Sequence, residues 1–277
     1  MTAEEAGSSE VLDAESAWGQ IIGTRKTQQD DAAIVNWPNG FSLSMLADGM
    51  GGHAGGAEAS QLVVNTFRQH FIDSTENNIR QRFLSSLSAA NLAVFDYTQQ
   101  HPELEGMGAT FLAVVFDGAS IQWISVGDSP LWLFRNDEIT RLNENHSMST
   151  VLAKQVAEGL ISAEEAATSP ERSQLLEAVL GKDIKLLDAP EESFPVQEGD
   201  IIILASDGVE TCSLDELQVL LSTSTENPDC NAEALIEAIL SRVDAHQRAS
   251  QDNSTLNIIR IVGVQDSVNT VPAGKEK

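Results

Sequence analysis

The stretch TFLAVVFDGASIQWISVGDSPLWLFRNDEIT, residues 110–140, decides the fold class. It holds three apolar segments, 110–116, 121–126 and 131–134, with tight turns at Asp117-Gly118 and Asn136-Asp137. Connections this short force neighbouring strands to run antiparallel, because a parallel crossover needs about a dozen residues or more. Working outward, further strands are predicted at 41–46, 201–205 and 256–262. Helices are predicted between the strand groups. Ala59, Leu62, Val63, Thr66 and Phe67 repeat at helical spacing, as do Phe83, Leu87, Ala90 and Val94, and then Leu235, Ala238, Ile239 and Val243. Runs of antiparallel strands with separate amphipathic helices predict an α+β layered domain. Residues 147–190 are helix-like but weakly apolar, and are expected to form an inserted helical segment near the surface.

The bulk properties narrow the setting. The 277 residues are 42% hydrophobic with a mean hydropathy of −0.13, ordinary for a globular chain. No apolar run approaches the roughly 18 residues needed to span a bilayer. The N-terminus is acidic and polar, unlike a secretory signal. Cys212 and Cys230 stand in no disulfide or zinc pattern, which fits a reducing, cytoplasmic setting. Sixteen Lys and Arg against 42 Asp and Glu give a net charge of −26. That balance argues against nucleic acid and anionic membrane as partners, since both require a basic footprint. Residues 1–16 are expected to be a flexible acidic tail, 17–264 a single domain, and 265–277 a flexible C-terminal tail.

A minority of the acidic residues sit at the ends of apolar strands rather than on a solvated face. Asp48 follows Leu43-Ser44-Met45-Leu46-Ala47, Asp207 follows Ile201-Ile202-Ile203-Leu204-Ala205-Ser206, and Asp128 follows Ile124-Ser125-Val126-Gly127. Asp252, with Asn253 beside it, precedes Leu256-Asn257-Ile258-Ile259, and Asp30-Asp31 precedes Ala32-Ala33-Ile34-Val35. A carboxylate there is partly desolvated and must be hydrogen-bonded, neutralised or paired. With few cations nearby, a divalent ion is one source of the missing charge. An all-oxygen set favours Mg²⁺ or Mn²⁺ over zinc. Any single Asp-Gly is more readily a turn than a ligand, and Asp117-Gly118 reads as one; only the joint pattern brings a metal site level with turns as the account of these positions. The run Asp48-Gly49-Met50-Gly51-Gly52-His53-Ala54-Gly55-Gly56 reads as a glycine-dense loop leading into a helix at Ala57. It lacks the Gly-Lys-Ser/Thr ending of a Walker loop. His53 and His146 read as loop residues or as groups just outside a site. Arg25, five residues before Asp30, is suited to bidentate phosphate binding.

Seven of these segments, taken in order, resemble the metal-dependent serine/threonine protein phosphatases, the PPM or type 2C group, in their bacterial single-domain form. They are Arg25-Lys26-Thr27-Gln28-Gln29-Asp30, Asp48-Gly49-Met50-Gly51-Gly52-His53, Gly106-Met107-Gly108-Ala109-Thr110, Val126-Gly127-Asp128-Ser129, Asn145-His146-Ser147, Ser206-Asp207-Gly208 and Asp252-Asn253-Ser254-Thr255. The resemblance covers about 17–263. It implies a central antiparallel β-sandwich flanked by helices on both sides, an αββα four-layer arrangement, with 147–190 as a flap beside the active site. It also implies that Asp48 bridges two Mn²⁺ or Mg²⁺ ions and that Gly49 offers its carbonyl. Asp207 and Asp252 would hold the first ion, and Asp30 would orient water on the second. Asp128, with Asp207, would build a weaker third site. Arg25 would bind the substrate phosphate, with Gln29, His53 and Asn253 supporting these groups.

The implied reaction is hydrolysis of phosphoserine and phosphothreonine in proteins by a water held between two cations, opposing a bacterial Ser/Thr kinase. The implied protein is monomeric and makes no contact with nucleic acid or membrane. Met50 stands where eukaryotic relatives carry histidine, so the leaving-group acid is assigned first to a cation-held water and second to His53. Against the resembled pattern, Gln28 stands for asparagine, Pro130 for the arginine after Gly-Asp-Ser, Thr211 for an acidic residue, and Glu177, expected in a flap helix, for an arginine; none of these removes a core ligand. The alternative reading is a pseudophosphatase that binds phosphoproteins as a regulatory module without turnover.

Overall fold

Side-chain alternation along each strand sets the layers. On β10 (Ile201–Ala205), Ile202 and Leu204 face one way while Ile201, Ile203 and Ala205 face the other, and all five are buried. A strand buried on both faces needs a packed layer on each side, here a second sheet on one and helices on the other. The computed structural model of the chain describes residues 11–264 and supplies both.

One five-stranded antiparallel sheet runs in the order β1 (Leu12–Ile21), β11 (Ser254–Val264), β10, β7 (Leu131–Arg135) and β8 (Glu138–Arg141). The second runs β2 (Asp30–Asn36), β3 (Ser42–Met50), β5 (Phe111–Phe116), β6 (Ser120–Val126) and β9 (Phe194–Pro195), with the two-residue β4 (Gly108–Ala109) paired to the end of β3. Between the sheets, Ala32, Leu46, Leu112, Val114, Ile202, Leu204, Ile259 and Ile261 interdigitate. The outer face of the second sheet, Leu43, Met45 and Phe111, packs on Val63, Phe67, Phe83 and Leu87 of α1 (Gly52–Asp73) and α2 (Ile79–Gln100). The outer face of the first packs on Leu217, Leu221, Leu235 and Ile239 of α5 (Leu214–Thr225) and α6 (Ala232–Ala245). This is the expected four-layer sandwich. Ser213 and Glu216 close a capping box at the start of α5, and Asn78 and Asn231 cap α2 and α6.

Three expectations need correction. Residues 12–16 are not part of an N-terminal tail but belong to β1, paired to β11 from Leu12 to Ile21. The strand's sequence, LDAESAWGQI, is half polar because it is an edge strand with one solvated face. Residues 1–10 and the expected C-terminal tail 265–277 lie outside the described residues. The glycine-dense segment is not a loop up to Ala57. β3 continues through Met50, held by Gly49 opposite Ala109 and Met50 opposite Gly108, and α1 starts at Gly52. Finally, 147–190 is only partly helical. After α3 (Met148–Ala157) and α4 (Ala163–Thr168) the chain is irregular, and Glu177 lies in that irregular part rather than in a helix. Its carboxylate accepts the backbone N–H groups of Lys185 and Leu186. No helix among the described residues is long and apolar enough to cross a membrane.

Candidate active site at the polar edge of the sandwich

The strand alternation that builds the inner core also builds the site. Residues 32, 46, 112, 202, 204 and 259 point into the apolar interior. Continuing the period of two past the last apolar side chain gives Asp30, Asp48, Thr110 and Ser206, and on β11 Asn257 and then Thr255. At one edge of the sandwich the inward face therefore changes from hydrocarbon to oxygen, and strands of both sheets contribute. Asp30 and Asp48 sit directly opposite each other on β2 and β3. Across the gap, the Ser206 hydroxyl donates to Asp30 Oδ2 at 2.8 Å and accepts the Thr255 N–H at 2.9 Å, joining the two sheets. The Asp48 N–H donates to Thr110 Oγ1 at 3.0 Å, which in turn lies 2.8 Å from Ser129 Oγ.

This edge opens into a cleft of 620 Å³ lined by Arg25, Gln29, Asp48, Gly49, Asp128, Asp207, Asp252 and Asn253, with residues 173–178 forming the opposite wall. Asp207 opens the short 3-10 turn after β10, and Asp252 immediately precedes Asn253 and β11. Asp30 is buried just behind Asp48. His53 falls in the first turn of α1, and its side chain lies outside the described residues.

The supporting residues act through the backbone. Asn253 accepts the Gln29 N–H at 2.8 Å and donates to the Ile22 carbonyl, fixing the Arg25–Asp30 segment against Asp252. Gln29 also donates to the Gly52 carbonyl at 3.0 Å, tying that segment to the start of α1. A Cβ at Gly49 would lie 2.0 Å from the Gly56 carbonyl oxygen, so only glycine lets β3 approach α1 here. Gln28, in place of the family's asparagine, still accepts the Asp30 N–H through its side chain.

Electrostatically the edge is a trap for positive charge. Burial raises the Asp48 carboxyl well above the usual range, and the charges of Asp30, Asp207, Asp128 and Asp252 push it further. Burial, then repulsion from Asp128, Asp252 and Asp30, lifts Asp207 to about 7. Burial lifts Asp30 to about 6 against the Ser206 hydrogen bond, and burial with Glu210 lifts Asp128 to about 6. Carboxylates that raise one another in this way are the donor set a hard divalent cation neutralises. Their side chains do not close around a single point. The Arg25 guanidinium pairs with Asp252, and among the described residues no three His, Cys, Asp or Glu side chains stand as a ready cation cage.

Several contributors carry no signal in the sequence. Arg141 reaches from β8 to donate to the Asp128 carbonyl at 2.7 Å, beside the loop where Pro130 replaces the family's arginine. Asn143 accepts the Leu131 N–H and donates to the Ser129 carbonyl. His146, which the sequence did single out, is buried beside this loop, and its Nδ1 accepts the Gly127 N–H at 3.2 Å, which leaves the ring proton on Nε2. Gln251, buried behind Asp252, donates to the Gly208 carbonyl and accepts from Thr211, the residue that replaces the family's acid.

Comparison with known proteins agrees with this geometry. Residues 22–251 match the family profile described as Protein phosphatase 2C. The serine/threonine protein phosphatase PstP of Mycobacterium tuberculosis is 34% identical over 177 residues, 64% of this chain and 33% of PstP, so the match spans about a third of that relative's length. The serine/threonine phosphatase stp of Listeria innocua is 28% identical over 213 residues, covering 74% of this chain and 82% of stp. The crystal structure of the PstP catalytic domain in complex with two manganese ions superposes with a TM-score of 0.69 at 28% identity, covering 91% of this chain and 99% of that one.

Proposed function

The chain belongs to the protein phosphatase 2C family, and from that premise we propose that it hydrolyses phosphoserine and phosphothreonine in proteins, using divalent cations held at the aspartate edge of the sandwich. The observation that carries the proposal is the convergence of Asp30, Asp48, Asp128, Asp207 and Asp252 in one mutually repelling cluster, with Arg25 at its mouth.

Asp48, Asp207 and Asp252, with the Gly49 carbonyl, would hold the cations on the cleft side. Asp30 lies behind them and Asp128 to one side. Bound Mn²⁺ or Mg²⁺ would activate a water for in-line attack and offset charge on the phosphoryl oxygens. The chain's own groups do the rest. Asp48 ends a strand paired on both sides, opposite Asp30 and with its carbonyl accepting the Thr110 N–H, so its backbone is fixed. Ser206 and Thr255 hold Asp30 in one orientation by donating to it. Arg25 is half-exposed and pairs with Asp252, so a phosphate can exchange with that carboxylate for its guanidinium. Released from Asp252, the Arg25 fork would face the cleft, where it could grip two phosphoryl oxygens.

The same proposal takes phosphoproteins made by Ser/Thr kinases as substrates, a monomer as the working form, and the cytoplasm as its setting. Cys212 and Cys230, both free and buried among apolar side chains, support the last point. The test is hydrolysis of an aryl phosphate and of a phosphothreonine peptide with and without Mn²⁺. Turnover that requires Mn²⁺ and is lost in Asp48→Asn is expected. No turnover by the folded wild type with Mn²⁺ would overturn the reading.

A further inference from the structure

Beside the catalytic cleft lies a second recess of 360 Å³, walled by the apolar side chains of Phe95, Pro102 and Leu180 and rimmed by the polar groups of Thr98, Gln99, Glu105 and Lys182. The two cavities share Leu180 as a wall. Leu180 is seated on Gly108, where an added Cβ would come 2.5 Å from Leu180 Cδ2, so the shared wall is fixed against β4.

The recess is rigid. Asn91 of α2 accepts the Gly181 N–H at 2.9 Å and donates to the Lys182 carbonyl at 2.7 Å, clamping the 180–182 turn to the helix. Gly181 has φ +71°, and a Cβ there would lie 2.7 Å from the Phe95 backbone, so the turn is seated directly on α2.

Its lining is unusual for this protein. The chain has nine phenylalanines, and Phe95 alone among them is exposed, at 44%. Leu92, three residues earlier on the same helix face, is 58% exposed. On the cleft side Leu176 is also exposed. Apolar side chains thus line both cavities, Leu176 and Leu180 the cleft and Leu180 and Phe95 the recess, with Leu180 common to the two. Glu105 and Lys182 face the recess together, so its charge selects neither sign. The occupant it suits is an apolar side chain.

We propose that this recess seats an apolar side chain of the phosphorylated polypeptide, flanking the phosphoresidue held in the cleft, and that Phe95 and Leu180 set a sequence preference there. The proposal rests on the phosphatase reading, since it needs the phosphate end of the substrate in the cleft. The occupant follows from continuity: a chain leaving the cleft over Leu180 enters the recess next.

The test uses the 277-residue chain and compares phosphothreonine peptides in which a single leucine replaces alanine at each flanking position in turn. An aryl phosphate is run on the wild type as the control for chemistry. Burying one apolar side chain in a half-open recess predicts about a tenfold gain in kcat/KM at one position, carried by KM. In Phe95→Asp, with folding checked by its melting curve, the leucine-to-alanine ratio at that position is expected to fall to about one. Leu180→Ser serves as a second variant, with the same expected loss. Aryl phosphate turnover with no positional preference in the wild type would overturn the recess while leaving the phosphatase reading intact. A preference that persists in both variants would overturn the assignment to this recess. Concentration-dependent self-association abolished by Phe95→Asp, with peptide kinetics unchanged, would also overturn it. Failure of aryl phosphate turnover itself would strike the phosphatase reading instead.

Discussion

Replacing Asp207 by asparagine is expected to raise the stability of the metal-stripped protein while removing much of its response to Mn²⁺. The carboxyl is lifted from 3.8 to about 7 by burial and by Asp128, Asp252 and Asp30. The folded state therefore binds a proton more tightly than the unfolded chain. Its favourable contribution is fully present below pH 3.8 and is lost as pH rises through about 7. Above pH 7 the rise from 3.8 to about 7 corresponds to about 4 kcal/mol against the fold. The side chain is partly open to the cleft, and screening there brings a working figure of about 2 kcal/mol. For a domain of this size that is about 4–8 °C in melting temperature. Melting curves in EDTA at about pH 4 and about pH 7.5 measure it. The variant is expected to match the wild type in the acidic buffer and to exceed it by several degrees in the neutral one. Adding Mn²⁺ at about 100 times its dissociation constant stabilises the wild type by about 2.7 kcal/mol, and the variant by much less. A variant that melts lower than the wild type in EDTA at the higher pH, or that keeps the full Mn²⁺ shift, would refute the argument.

Ser206→Ala removes the hydroxyl that joins Asp30 to the Thr255 backbone across the two sheets, and a loss of about 1–3 kcal/mol is expected in urea unfolding. Arg25→Ala leaves the sandwich intact and is expected to lower kcat/KM for an aryl phosphate by about 10–100-fold, the weight of a charged hydrogen bond, with stability within about 0.5 kcal/mol of the wild type. Ile202→Ala opens a cavity between the sheets and is expected to destabilise by about 2–5 kcal/mol in the same unfolding assay.

Much of the fold and site is legible in the order of residues. The short turns after Phe116 and Arg135 force antiparallel pairing, and the apolar run on β10 predicts a core strand. The period of two, carried from Leu46 to Asp48 and from Leu204 to Ser206, places the oxygen-bearing side chains at the edge of the inner core. What escapes reading is long-range. Strand β1 has too few apolar residues to announce itself, since only one of its faces is covered. Helix α1 starts early because β4, two residues from a distant part of the chain, extends β3 to Met50. Arg141 and Asn143 gain their roles from strand pairing that brings β8 beside the Asp128 loop, and no local spacing signals it. The pairing of Arg25 with Asp252 joins residues 227 positions apart.

Crystals grown with Mn²⁺ test most directly whether the aspartate edge is a cation site. Anomalous difference density at the manganese edge is predicted to show two strong peaks in the cleft, each within about 2.0–2.6 Å of carboxylate or carbonyl oxygens, with Asp48 shared between them and Asp207 and Asp252 on one. Crystals of the active protein with no peak against Asp48, or with manganese bound only elsewhere, would contradict the account.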